Sequence, residues 1–80
     1  MGAVNVIVTF ASGSGKKGAR VQGEVGGFLG GMTAETRTDS DGHAVVTWTS
    51  STGSLVALYV DGRKHAGTFR SGQTYAFPAS

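Results

Sequence analysis

The chain has 80 residues, 39% of them hydrophobic, with no cysteine, one proline and fourteen glycines, and a formal net charge of +2. Such a length bounds the protein to one domain with a small core, and the lack of cysteine excludes disulfides and thiolate metal sites as its support. No apolar run approaches the roughly 20 residues of a membrane-spanning helix, the basic excess is slight and reads first as solvated surface charge, and MGAVNVIVTF lacks the features of an export signal.

The first element is the most secure. Val4, Val6, Val8 and Phe10 alternate with Asn5, Ile7 and Thr9, which predicts a strand burying the first set on one face. The stretch SGSGKKGARV follows, with Gly13, Gly15 and Gly18 in the spacing G-x-G-x-x-G. A dinucleotide fingerprint needs a helix after its glycines, so that amino-terminal N–H groups can hold a pyrophosphate. ARVQGEVGGFLGG follows Gly18 instead, with too many glycines for a helix. A Walker loop fails because Phe10 and Lys17 stand where glycine and Ser or Thr are required. The remaining chain is also too short to house a kinase behind its glycine-rich loop. The stretch therefore reads as a strand connection in which only Lys16 and Lys17 offer anion contacts.

Further strands are expected over Ala19–Val25 and Thr33–Thr38, separated by the loop Gly26–Gly31, whose Phe28 and Leu29 are expected to tuck over the core edge. From there the punctuation is regular. Asp41-Gly42, Asp61-Gly62 and Ser71-Gly72 each separate strand-like runs, as hairpin turns do, and Ser50–Ser54 forms a looser connection around Gly53. Helix signals are nearly absent, and seven short strands at this spacing predict an all-β sandwich. Leu55–Val60 is apolar on both faces, so its outer face calls for cover by a loop, another domain or a second copy of the chain. Trp48, Tyr59, Phe69, Tyr75 and Phe77 are assigned to the core.

No motif carries catalysis. Thr38–Gly42 resembles the start of a calcium loop, but the next acid after Asp41 is Asp61, and an Asx-stabilised turn is the better reading. His43 and His65 have no liganding neighbour at metal spacing and read as surface histidines. There is no G-x-S-x-G elbow and no convincing carboxylate pair. The chain is read as a non-enzyme with no catalytic, metal or cofactor residues.

Gly18-Ala19-Arg20-Val21 followed by Thr38-Asp39-Ser40-Asp41-Gly42 and the strand HAVVTWT resembles the carboxypeptidase regulatory-like (transthyretin-like) domains and the bacterial Ig-like modules. Lys16-Lys17 depart from the proline and aliphatic residue usual there. The resemblance implies a seven-stranded Greek-key β-sandwich over residues 1–80, Ig-like or transthyretin-like. It further implies an accessory unit of an extracellular or cell-surface bacterial protein, serving as spacer, stabiliser or adhesive module. Expected partners are neighbouring domains, other proteins or polysaccharide, with self-association through Leu55–Val60 as a further route. The alternative is a small basic barrel of the OB or SH3-like type binding nucleic acid through Lys16, Lys17, Arg20, Arg63, Lys64 and Arg70.

Overall fold

In the computed structural model, residues 2–26, 31–49 and 54–79 are described. Phe28, Leu29 and the connection around Gly53 lie outside them. Seven strands are present among the described residues: β1 (Gly2–Thr9), β2 (Arg20–Glu24), β3 (Thr36–Arg37), β4 (His43–Trp48), β5 (Ser54–Val60), β6 (Arg63–Arg70) and β7 (Thr74–Pro78). Those residues include no helix, and so none long and apolar enough to cross a membrane.

The strands form two sheets, ordered β4-β1-β7 and β3-β2-β5-β6. They share no strand, so the domain is built of two packed layers, not one closed sheet. β1 is the centre of the smaller sheet, antiparallel to β4 and parallel to β7. Its alternation works as expected over its length: Val4, Val6 and Val8 are fully buried, against Val21, Val46, Leu55, Leu58 and Val60, with Trp48, Phe69 and Phe77 completing the core. Phe10 does not join them. The chain turns there, closed by Phe10 N–H to Ser14 C=O and Gly13 N–H to Phe10 C=O, and the ring stays 46% exposed.

Three glycine turns that look alike in sequence do two different jobs. Asp61-Gly62 is the expected hairpin, joining the paired strands β5 and β6, and both residues have positive φ as a type I′ turn demands. Asp41-Gly42 is not: hydrogen bonds of Asp39 with Gly42 and His43 close it, and the flanking strands then part into opposite sheets. Ser71-Gly72 likewise carries the chain from β6 in one sheet to β7 in the other. The Asx-turn reading does hold, since Asp39 Oδ1 accepts from Asp41 N–H and His43 N–H.

The third strand is far shorter than Thr33–Thr38, and threonine hydroxyls explain why. Thr33 Oγ1 accepts from Gly23 N–H at 2.8 Å, and Thr38 Oγ1 accepts from Ala19 N–H at 2.9 Å and donates to Lys16 C=O. Each hydroxyl accepts an N–H that a ladder carbonyl would otherwise take, while Thr33 N–H and Thr38 N–H still donate to Gly23 C=O and Ala19 C=O, leaving only Thr36–Arg37 in regular pairing. Both threonines are buried.

β5 lies between β2 and β6, and its backbone is paired on both sides from Ala57 to Val60. Leu55 joins Leu58 and Val60 in the core, an odd spacing that strict alternation forbids, and the pairing with β6 shifts register between Leu55 and Ala57. Its apolar character is thus largely internal. What remains outside is Val56, 43% exposed, and Tyr59, which is a half-buried outer-face residue and not core as expected. Gly23 on β2 makes room for this arrangement, because a Cβ there would lie 2.5 Å from Leu55 Cδ1.

Replacing Thr38 by Val strands a buried N–H and a C=O, and is expected to cost about 2–3 kcal/mol. The exposed Thr47→Val should stay within about 0.5 kcal/mol. Urea unfolding of the two variants checks the difference.

Candidate functional site

The six basic residues of the nucleic-acid reading are divided by the fold. Lys16 is committed to Asp61, with Nζ to Oδ2 at 2.7 Å. Asp61 Oδ1 accepts from Arg20 N–H at 3.0 Å, Asp61 N–H donates to Arg20 C=O at 2.8 Å, and the Arg20 guanidinium stands 4.0 Å away. Arg63 begins the strand after this turn, Lys64 faces Glu24 at 3.9 Å, and Arg70 is at the opposite end of β6. Lys17 lies in the loop before β2. No single basic surface results. Lys16, Arg20 and Arg63 surround the β5–β6 turn, and one carboxylate already occupies its centre.

Asp61 is therefore a structural hub. The Lys16 ammonium and the Arg20 N–H hold its carboxyl below the ordinary value of 3.8, and the His43 and Asp41 N–H groups do the same for Asp39. On the outer face of the same sheet, Tyr59 donates to Glu24 at 2.8 Å, which raises the phenol above its usual range. Arg20, Gln22, Glu35, Tyr59 and Gly62 line a shallow hollow of about 170 Å³ there.

The glycine loop is occupied by backbone, not prepared for phosphate. Lys16 N–H donates to Val8 C=O and Gly15 bridges Thr9, so the loop doubles back along the end of β1. A Cβ on Gly15 would lie 2.1 Å from Asp41 C=O, and one on Gly42 would lie 2.3 Å from Val8 C=O. Two turns distant in sequence are in backbone contact here, and only glycine fits.

His43 is exposed, as expected, but His65 is not a simple surface histidine. It is half-buried, its ring 4.6 Å from that of Phe77, and its Nε2 is buried with no hydrogen-bond partner among the described residues. Phe69 packs edge-on against Tyr75 at 4.9 Å, and Tyr75 Oη accepts from Arg70 N–H. This row of rings closes one side of the sandwich, between the edges β6 and β7. Among the described residues no group of three or more His, Asp or Glu is placed to hold a metal ion.

Sequence reading missed a concavity on the small sheet. An open cleft of about 640 Å³ crosses the outer face of the small sheet at Asn5, Ile7, His43, Val45 and Thr74, with Thr36, Arg37 and Asp39 beside it. Its floor is Asn5 and Ile7 of β1 with His43 and Val45 of β4, at alternate positions of each strand; that alternation is the one signal of it in the sequence. Against this geometry, a scan over known protein families finds no matching family, and a search of curated proteins finds no relative.

Gly15→Ala should destabilise the domain by more than about 2 kcal/mol, because backbone atoms must move apart. Gly13→Ala meets nothing within 4 Å and strains only a positive φ, so about 1–2 kcal/mol is expected. Chemical denaturation separates the two. For Asp61, a depressed carboxylate stabilises fully above its unfolded value near 3.8 and loses that contribution as pH falls through its lower folded value. Asp61→Asn should therefore be less stable than wild type at neutral pH and converge on it in strong acid. Thermal melts from pH 7 down to acid check this.

Proposed function

We propose that the chain is a non-catalytic accessory module, a spacer or stabilising unit between other domains of a secreted or cell-surface bacterial protein. The Greek-key, Ig-like or transthyretin-like assignment belongs to this proposal. One observation carries it: the first and last strands are parallel neighbours, Asn5 beside Thr74 and Thr9 beside Pro78. A chain that enters along β1 and leaves along β7 does so at opposite ends of the small sheet, the length of an eight-residue strand or about 25 Å apart. Domains attached to the two ends are held apart along that axis, which is what a spacer requires. The polar groups favour the same reading, since Asp61, Asp39, Thr33 and Thr38 are used to close turns and join segments.

Fusing a folded reporter domain to each end tests it. Small-angle scattering should give an elongated particle with the reporters separated by the length of the module. Reporters lying side by side would overturn the reading. So would oligonucleotide binding at physiological salt whose salt dependence falls in Lys16→Glu/Lys17→Glu, since it would establish the nucleic-acid alternative.

A further inference from the structure

We infer that the free edge of β4 is a self-pairing surface, on which a second copy of the chain adds its own β4 antiparallel about a two-fold axis at Val46. Each sheet has two edges, and three of the four carry a guard. β6 bears Arg63, Lys64 and Arg70 and the register shift, β7 ends in Pro78, and β3 is two residues long. β4 is six residues, HAVVTW, with no acid, lysine, arginine or proline.

The hydrogen-bond phase identifies what it offers. Val8 N–H donates to Gly42 C=O, and Val8 and Gly42 fall in the same antiparallel register as Val6 with Ala44 and Val4 with Val46. Ladder bonds alternate along such a pair, so Ala44 and Val46 face β1 while His43, Val45 and Thr47 face outward. His43 is already capped: Asp39 N–H donates to its C=O and Asp39 Oδ1 accepts its N–H. Val45 and Thr47 have no such cap among the described residues. Each leaves an N–H and a C=O directed away from the sheet, and Val45 is 51% exposed.

A second copy fits this edge in one register. Val45 opposite the partner's Thr47, repeated by symmetry, forms four backbone hydrogen bonds and makes a continuous six-stranded sheet. The outer face then has Val against Thr, a favourable β-branched pairing of two uncharged side chains, with Arg37 and Asp39 in the cleft beside Val45. The area fixes the strength. A six-residue edge is about 20 Å long on a sheet about 10 Å deep. That is well short of the roughly 800 Å² per partner of a standard stable interface, so the dimer is weak and concentration-dependent. Pairing is lateral and leaves both ends of the module clear. It also moves self-association away from Leu55–Val60, where β5 lies between β2 and β6 and is paired on both sides from Ala57 to Val60.

Sedimentation equilibrium of the whole chain tests this, with circular dichroism confirming that each variant folds. Wild type should pass from monomer to dimer between micromolar and millimolar concentration. Val45→Lys/Thr47→Lys puts like charges directly across the seam and should weaken the dimer at least about tenfold. An equimolar mixture with Val45→Glu/Thr47→Glu should restore a heterodimer, while Val56→Lys should leave wild-type association unchanged. A wild-type chain that stays monomeric at millimolar concentration overturns the inference. So does a dimer that survives the Lys pair, or one that Val56→Lys disperses.

Discussion

Everything in this domain is organised around β1, a single strand hydrogen-bonded on both sides and fully buried on one face. Val4, Val6 and Val8 fill the middle of the core, and β4 and β7 take the two rows of backbone groups. Because β7 runs parallel to β1, it cannot be joined by a short hairpin; the chain must pass through the other sheet before returning. The two-layer arrangement, the glycine-rich crossings and the entry and exit at opposite ends of the small sheet follow from that one pairing.

A core this small is supplemented by polar joints at the crossings. Thr38 ties the β1–β2 loop to the segment before β4, Thr33 ties the other end of that segment to β2, and Asp61 ties the β5–β6 turn to Lys16 and Arg20. Buried hydroxyls satisfied on both sides contribute more through the penalty of leaving them unpaired than through the bond itself. The same groups that resemble candidate binding residues in sequence are thus engaged in tying loops and turns to one another and to β2.

How far the sequence could be read follows from range. The alternation of β1 and the primed turn at Asp61-Gly62 are local signals, and both appear as read. Asp41-Gly42 and Ser71-Gly72 carry the same local signal, yet φ preference specifies a turn without specifying whether the strands it joins stay paired. The contraction of the Thr33–Thr38 strand depends on partners at Gly23 and Ala19, and the entry of Leu55 into the core accompanies a shift in its pairing with β6. The basic cluster was visible as charge, but its neutralisation by Asp61 joins residues 45 positions apart. The cleft on the small sheet and the uncapped edge beside it depend on which strands become neighbours, and no run of consecutive residues encodes that.

The pairing of β1 on both sides is tested most directly by residue-resolved amide hydrogen exchange in dilute, monomeric solution. The account predicts slow exchange at five consecutive amides, Val4 through Val8, because Val4, Val6 and Val8 donate toward β4 while Asn5 and Ile7 donate toward β7. On β4, exchange should alternate, slow at Ala44 and Val46 and fast at Val45 and Thr47. Alternating protection along Val4–Val8 would make β1 an edge strand and contradict the topology from which the rest of the account follows.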